Sequence, residues 1–571
     1  MKMNKLSLIA IMAALLGLAA CDKFLDTMPD NRAEIDTVEK IRALLTSGYP
    51  TSTYITFNEF MSDNVDNFGD DNPGTSRFFD EAYAWKPITE TANDDPTNFW
   101  SESYLCIAHA NQALDAIMTL AGVESLEEEQ AILKAGLEAE MAEALLIRAY
   151  NHFMLVNEFC LNYNSLTSAT DLGIPYMEDI ERELNPQYER GNVAEVYAKI
   201  EKDLELGLKY ISDKYYKVPK YHFNTRAAYA FAARFYLFYE KWDKAAEYAT
   251  KCLGSQPANL LRDWSYIGKL ERDWDVRSNE FIKSKYSANL LLLTSYSVIG
   301  YISAYPYITK YSHNSYLSFN ELSYAGNVWG NKQTGWRNVS NWFYMAPEWY
   351  SGANFDQIVH WKIPYLFEFT DPVARIGYAH AVCPAITTDE TLLTRAEAYV
   401  MLGEYDLATA DINTYIRSII RTNYFKKDLT TEEIVDFYNN VEYATWDHST
   451  IKKHLNPAFS IGAEGGVKEC MLQCVLGMKR QDHFFQGLRW FDIRRYGIEI
   501  WRRTMQPNPA AEQYDASLMP MRLDDVLVKD DLRRAMQLPQ DVIAAGLTPN
   551  PREKEETTPL VFDNLPYKIV E

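Results

Sequence analysis

Apolar residues recur every three to four positions along most of the chain, the period of an amphipathic helix. Residues 98–118 ("NFWSESYLCIAHANQALDAIM") and 138–159 ("EAEMAEALLIRAYNHFMLVNEF") read as one helical pair, and 193–211 as a helix of another. The stretch 227–253 ("AAYAFAARFYLFYEKWDKAAEYATKCL") is apolar almost all round at first, as a buried helix must be. It turns at Glu240-Lys241 and continues as an amphipathic helix, and 392–416 ("LLTRAEAYVMLGEYDLATADINTYI") has the same form. Between these two, from Gln256 to about Cys383, the helical period is lost and turn residues and aromatics take over. The pattern predicts a mainly α chain interrupted by one aperiodic insert at 256–385.

Tyr399, Gly403, Tyr405 and Ala408 fall at tetratricopeptide spacing, where small residues let antiparallel helices approach closely, and Ala233, Tyr236, Trp242 and Ala245 occupy equivalent offsets. The repeats are irregularly spaced, so helix pairs embedded in one larger unit are expected rather than a uniform solenoid. The window 281–350 holds 17 Phe, Tyr and Trp, or 24%, against 14% for the whole chain. That richness argues against disorder and for a functional role of the insert.

Residues 1–20 carry Lys2 and Lys5, an apolar run from Leu6 to Leu18 and then small residues, the layout of an export signal. The run is shorter than the roughly 20 apolar residues that span a bilayer. Leu18-Ala19-Ala20-Cys21 resembles a bacterial lipobox, in which the peptide is cut before the cysteine and the cysteine is acylated. The alternative is an ordinary signal peptide cut after Ala20, with Cys21 incidental. Lipidation at Cys21 would tether the mature chain, 21–571, to a membrane without inserting it. Loss of Lys2 and Lys5 takes the formal charge from −23 to about −25. Such a chain repels phosphate backbones and anionic headgroups, so no nucleic-acid partner is expected and the tether must provide membrane attachment. The other six cysteines form no CxxC pair and no zinc pattern, and Cys470 and Cys474, four apart on one predicted helix, are expected in the core. No cofactor or metal is expected.

The segment 478–497, "MKRQDHFFQGLRWFDIRRYG", resembles the C-terminal motif of the SusD/RagB family of outer-membrane lipoproteins from Bacteroidetes. Other segments similar to that family follow its order: the lipobox and "CDKFLD", "FWSESYLCIAHANQAL", "AEALLIRAYNHFMLVNEF" with "DLGIPYM", "NTRAAYAFAARFYLF", "LLTRAEAYVMLGEYDLA" and "MQLPQDVIAAGLTPNPR". The resemblance covers essentially the whole mature chain. It implies a SusD-like fold: one α-rich domain on tetratricopeptide helix pairs, with loops and short strands opposite them. It further implies an extracellular, lipid-anchored lid on a SusC-like TonB-dependent transporter, capturing glycans, or sometimes peptides, for import. Members are not enzymes. The helical side would dock the transporter and the aromatic insert would face the ligand. The chain departs from the family at Gln481 and His483, where many relatives carry charges, and in 430–457, which does not align with a short connector.

A sugar offers flat C–H faces ringed by hydroxyls, so binding wants an exposed aromatic platform flanked by amides, carboxylates or guanidinium groups. The loop 322–342 has that composition, with Tyr324, Trp329 and Trp336 among Asn327, Asn331, Gln333, Arg337 and Asn338. The competing expectation is that these tryptophans fill the loop's own core. Trp342 and Trp349 flank "YMAPE", which reads as a helix start, and are expected to pack. The acidic loop 62–75 offers Asp63, Asn64 and Asp66 as ligand contacts, and Trp85 is a further candidate. That loop lacks the calcium-loop pattern, because Val65 or Phe68 takes the third position. "RWFDIRRYG" is read as structural, with Arg489, Asp492, Arg494 and Arg495 forming ion pairs that pin the C-terminal segment to the helices. No G-x-S-x-G or H-E-x-x-H motif is present, so a surface glycoside hydrolase is the weakest alternative, behind a tetratricopeptide scaffold that binds only protein.

Overall fold

The structure, a computed structural model, describes residues 35–552 apart from 70, 71, 73, 75, 183–186, 306, 307, 330–341, 353, 426 and 506–520. Its scaffold is a series of helices: α1 (Pro96–Ala121), α2 (Glu138–Phe159), α3 (Val193–Tyr210), α4 (Thr225–Phe238), α5 (Trp242–Leu253), α6 (Thr388–Leu402), α7 (Tyr405–Ile419) and α8 (Val467–Asp482). Local chemistry sets their ends. The Asp95 carboxylate accepts the Asn98 N–H at 2.6 Å ahead of Pro96, and Asn192 with Glu195 forms a reciprocal capping box at α3. Gly122 and Gly403 close α1 and α6 in the left-handed conformation, at φ 70° and 82°.

Successive helices pack on one another: α1 on α2, α2 on α3, α4 on α5 and α6 on α7. The pair α5 and α6 also packs directly, although the whole insert lies between them in sequence. The insert therefore leaves and rejoins the scaffold at one place, as a lateral excursion from continuous helix packing.

That excursion is more regular than its aperiodic sequence predicts. The strands are β1 (Asp66–Asn67), β2 (Asn289–Ser295), β3 (Tyr311–Ser312), β4 (Glu348–Gly352), β5 (Phe355–Val359), β6 (Leu366–Asp371), β7 (Ile376–Thr387), β8 (Ile500–Met505) and β9 (Met521–Leu527). They form antiparallel β2-β7-β6, the hairpin β4-β5, and a mixed sheet β3-β1-β8-β9 in which β1 and β8 run parallel. β2, "NLLLLTS", is buried on both faces, so it shows no alternation for a pattern to detect. "YMAPE" does not start a helix; Pro347 precedes β4 instead.

A buried seam of charge joins the C-terminal segment to this body. Arg489 grips Asp63 through two bonds of 2.8 and 2.9 Å. Lys479 bridges Glu397 and Asp492 at 2.7 and 2.9 Å, and Arg495 spans the same two carboxylates at 2.6 and 3.0 Å. Arg494 donates to the Asn157 and Cys160 carbonyls at the end of α2. Arg489, Asp492 and Arg495 thus form the ion pairs expected of "RWFDIRRYG", whereas Arg494 holds backbone carbonyls instead, and all four stand in the core. Cys470 and Cys474 are buried free thiols. Among the described residues, no helix is long and apolar enough to cross a membrane, and no cluster of His, Cys, Asp or Glu is placed to hold a metal. Cys21 and residues 1–20 lie outside the described residues.

Candidate functional site

The insert exposes a stripe of aromatic rings. Trp274 opens the helix Trp274–Phe281, capped by the Asp273 carboxylate on the Asp275 and Val276 N–H groups. Tyr301 and Tyr305 stand four residues apart at the end of the short helix Ile299–Ala304, so they share one side. Tyr365 comes from the approach to β6. Ring centroids run 5.6 Å from Trp274 to Tyr305, 4.9 Å on to Tyr301 and 5.3 Å on to Tyr365. Residues two apart on a strand share a face, so Phe367 and Phe369 of β6, which follow Tyr365 in sequence, present a second ring pair in edge contact at 4.9 Å. Tyr301 is 38% exposed, Tyr305 37% and Phe369 51%, high values for residues that usually pack inside.

Two glycines make this arrangement possible. A Cβ at Gly300 would stand 2.2 Å from the Pro364 carbonyl oxygen, so only glycine lets the Tyr301 helix lie against the Tyr365 segment. A Cβ at Gly377 would meet the Glu368 carbonyl oxygen at 2.0 Å and the Phe367 ring at 2.8 Å, so the hairpin face needs glycine under that ring. On the opposite face of the hairpin, Tyr296 and Tyr378 meet edge to face at 4.7 Å beside Glu368. The hydrogen bond to Tyr296, then burial and the Glu368 charge, push the Tyr378 phenol up to about 12. Exposed Asp275, Glu368, Asp371 and Arg375 flank these rings. Flat apolar faces with phenol, carboxylate and guanidinium groups around them suit a ligand that is apolar on its faces and hydroxylated at its edges.

Several residues expected at a ligand lie inside the protein instead. Asp63, Asn64 and Asp66 are buried in the charged seam. Arg480 donates to the Asn64 amide oxygen at 2.9 Å and to the Asp63 carbonyl at 2.7 Å, and Arg503 holds Asp66 at 3.1 and 3.2 Å. Burial would raise the Asp63 carboxyl, but the Arg480 and Arg489 charges outweigh it and hold it well below the usual carboxylate range. Trp85 is 1% exposed, donates its indole N–H to the Met61 carbonyl at 2.9 Å, and lies 4.1 Å from the Arg502 guanidinium. Tyr324 donates to the Pro347 carbonyl at 2.7 Å and is likewise buried. Trp329 is buried in the main core, facing Gly477 of α8. These six are corrections: charge pairing and core packing take them out of solvent. Asn331, Trp336 and Arg337 lie outside the described residues. Trp342 stacks on Tyr424 at 5.1 Å and Trp349 donates to Asp356 at 2.6 Å, so both pack as expected. Gln481 and His483 are buried, and Gln481 accepts from Ser323 at 2.9 Å.

The expected face was the loop 322–342, whose residues 330–341 lie outside the described residues, and the exposed rings Tyr301, Tyr305, Phe367 and Phe369 stand elsewhere in the same insert. Two signals pointed to the stripe: the four-residue spacing of Tyr301 and Tyr305, and the alternation Tyr365, Phe367, Phe369 with Leu366 and Glu368 between them.

Two family models match the chain. One, described as starch-binding and associating with the outer membrane, matches residues 23–237, and the other, described as the SusD family, matches residues 299–542. Among solved structures, a SusD superfamily protein from Bacteroides vulgatus is 18% identical, with a TM-score of 0.56 over 90% of this chain and 98% of that one. A SusD superfamily protein from Bacteroides thetaiotaomicron is 16% identical, with a TM-score of 0.54 over 90% of this chain and 100% of that one. A SusD-like carbohydrate binding protein from Bacteroides vulgatus is 14% identical, with a TM-score of 0.54 over 89% and 96%. At these identities the likeness shows the fold. No curated protein matches the chain.

Proposed function

The chain belongs to the SusD/RagB family, and on that premise we propose that it is a non-catalytic glycan receptor whose insert carries the binding face. The observation that carries this reading is the aromatic series Trp274, Tyr305, Tyr301 and Tyr365 with Phe367 and Phe369 beside it, in which Tyr301, Tyr305, Phe367 and Phe369 are exposed and Trp274 and Tyr365 are half-buried. Stacking on such a row favours an oligosaccharide or polysaccharide presenting successive ring faces. Acylation of Cys21 holds the protein at the outer face of the outer membrane. A SusC-like TonB-dependent transporter receives the captured glycan, with the helical side of this chain against it.

The test is retention of the soluble chain from Asp22 onward by a panel of immobilised polysaccharides, with cleavage products assayed in parallel. Retention without cleavage, lost on substituting Tyr301→Ala with Tyr365→Ala, is the expected result. Released oligosaccharides would establish an enzyme instead. Substituting Cys21→Ala is expected to move the full chain from the membrane fraction to the soluble fraction with glycan retention intact.

A further inference from the structure

A small enclosed cavity lies where the helical scaffold meets the sheet β2-β7-β6. It is walled by α1, α2, β2, β7 and the segment 50–55, and leaves about 20 Å³ to the centre of a water molecule, room for one. Four polar side chains line it, each from a different part of the chain: Ser52 from the segment, Ser103 from α1, Asn151 from α2 and Ser295 from the end of β2. All four are at most 5% exposed, and the Ser52, Ser103 and Ser295 hydroxyls and the Asn151 amide oxygen have no protein partner among the described residues. Buried polar atoms in folded proteins are nearly always paired, so four such oxygens around one space point to a bound polar molecule. Of the remaining polar groups in the wall, the Thr53 hydroxyl accepts the Ile55 N–H at 3.3 Å, and the Tyr54 and Tyr150 phenols lie near the Arg234 guanidinium. Cys383 offers only a weakly polar thiol.

Asn151 fixes the sense of one bond. Its amide nitrogen donates to the Ile147 carbonyl at 2.8 Å, one helical turn back, so its oxygen is left as an acceptor that needs a donor. Each serine hydroxyl can donate or accept. A water molecule matches this set: one hydrogen serves Asn151 Oδ1, the other serves one serine, and two serines donate to the water oxygen. An ion does not match, because no side chain lining the cavity among the described residues is charged and a buried ion would stand uncompensated. We infer that the cavity is a binding site for one internal water, which joins Ser103 and Asn151 of the scaffold to Ser295 of the insert and to Ser52. Beside it the Tyr296 N–H donates to the Thr51 carbonyl at 2.7 Å, so backbone and water together fasten the end of β2 to the segment 50–55. The inference is independent of the glycan reading, because none of these four residues belongs to the aromatic series.

The test is a high-resolution crystal structure of the chain from Asp22 onward, grown in rubidium chloride, with the Ser295→Ala variant alongside. The expected result is one density peak within about 2.6–3.2 Å of at least three of the four oxygens, without an anomalous rubidium signal. In Ser295→Ala the peak is expected to stay on Ser52, Ser103 and Asn151. Loss of that one hydrogen bond is expected to lower the melting temperature by about 1–2 °C, with glycan retained as by the parent. In a dry cavity the same substitution would only remove an unpaired hydroxyl, and the melting temperature would hold or rise. No peak, a peak touching fewer than three of the oxygens, a rubidium signal, or a melting temperature that holds or rises in Ser295→Ala would overturn the inference.

Discussion

Trp85, Tyr324 and Trp329 lie in stretches of sequence as rich in polar residues as those around Tyr301 and Tyr305, yet the first three are buried and the last two face solvent. The difference is made by residues remote in sequence. The Trp85 ring is covered by Arg502, whose guanidinium also donates to the Phe60, Met61 and Ser62 carbonyls at 2.9 Å each. Trp329 is closed over by α8. Tyr301 and Tyr305 meet other rings edge to face or tilted, which leaves their ring surface free. A ring in a polar loop therefore becomes a platform only when no distant helix or guanidinium covers it.

The sharpest way to break this contrast is at the acidic loop. Replacing Asp63→Ala leaves Arg489 buried without its carboxylate, while Arg480 keeps Glu321 at 2.9 Å, and is expected to cost about 3–5 kcal/mol in chemical denaturation while folded protein retains glycan normally. A stable variant that has lost retention would return Asp63 to the ligand. Trp85→Ala is expected to destabilise by about 3 kcal/mol, through the cavity and the loss of the Arg502 stack. The exposed pair behaves oppositely: Tyr301→Ala with Tyr305→Ala should change stability by about 1 kcal/mol or less. Glycan affinity should fall about 10- to 100-fold, read by titration calorimetry.

A smaller effect reports on the buried side alone. Burial pushes the Glu158 carboxyl up to about 8, against the nearby Arg494 charge and the 2.9 Å bond from Asn58. A raised folded-state value gives stability that is fully present below about pH 4.5 and is lost as pH rises through 8. Glu158→Gln keeps the Asn58 bond and removes the titration. Its unfolding free energy should match the parent at pH 4 and exceed it by about 1–3 kcal/mol at pH 8. Glycan retention should be unchanged at both.

The helices were legible because their signals are local. The periods over 98–118, 138–159 and 227–253 need only neighbouring residues, and Asp95, Asn192 and Gly403 mark ends within one turn. The role of Arg489 and Asp492 was legible from the crowding of opposite charges in one motif. The fate of the acidic loop was not, because its partners Arg480, Arg489 and Arg503 lie more than 400 residues away. The stripe was half legible. Its tyrosines belong to the aromatic count over 281–350, but Tyr365 and β6 lie beyond that window, and only the sheet pairing of β6 with β7 fixes their common face.

The most direct measurement is hydroxyl-radical footprinting of the soluble chain with and without a polysaccharide that retains it. Protection concentrated at Tyr301, Tyr305, Tyr365 and Phe369, with Trp85 and Trp329 unchanged, is the predicted result. Protection of the 322–342 loop or of the helical face, with the stripe as reactive as before, would contradict it.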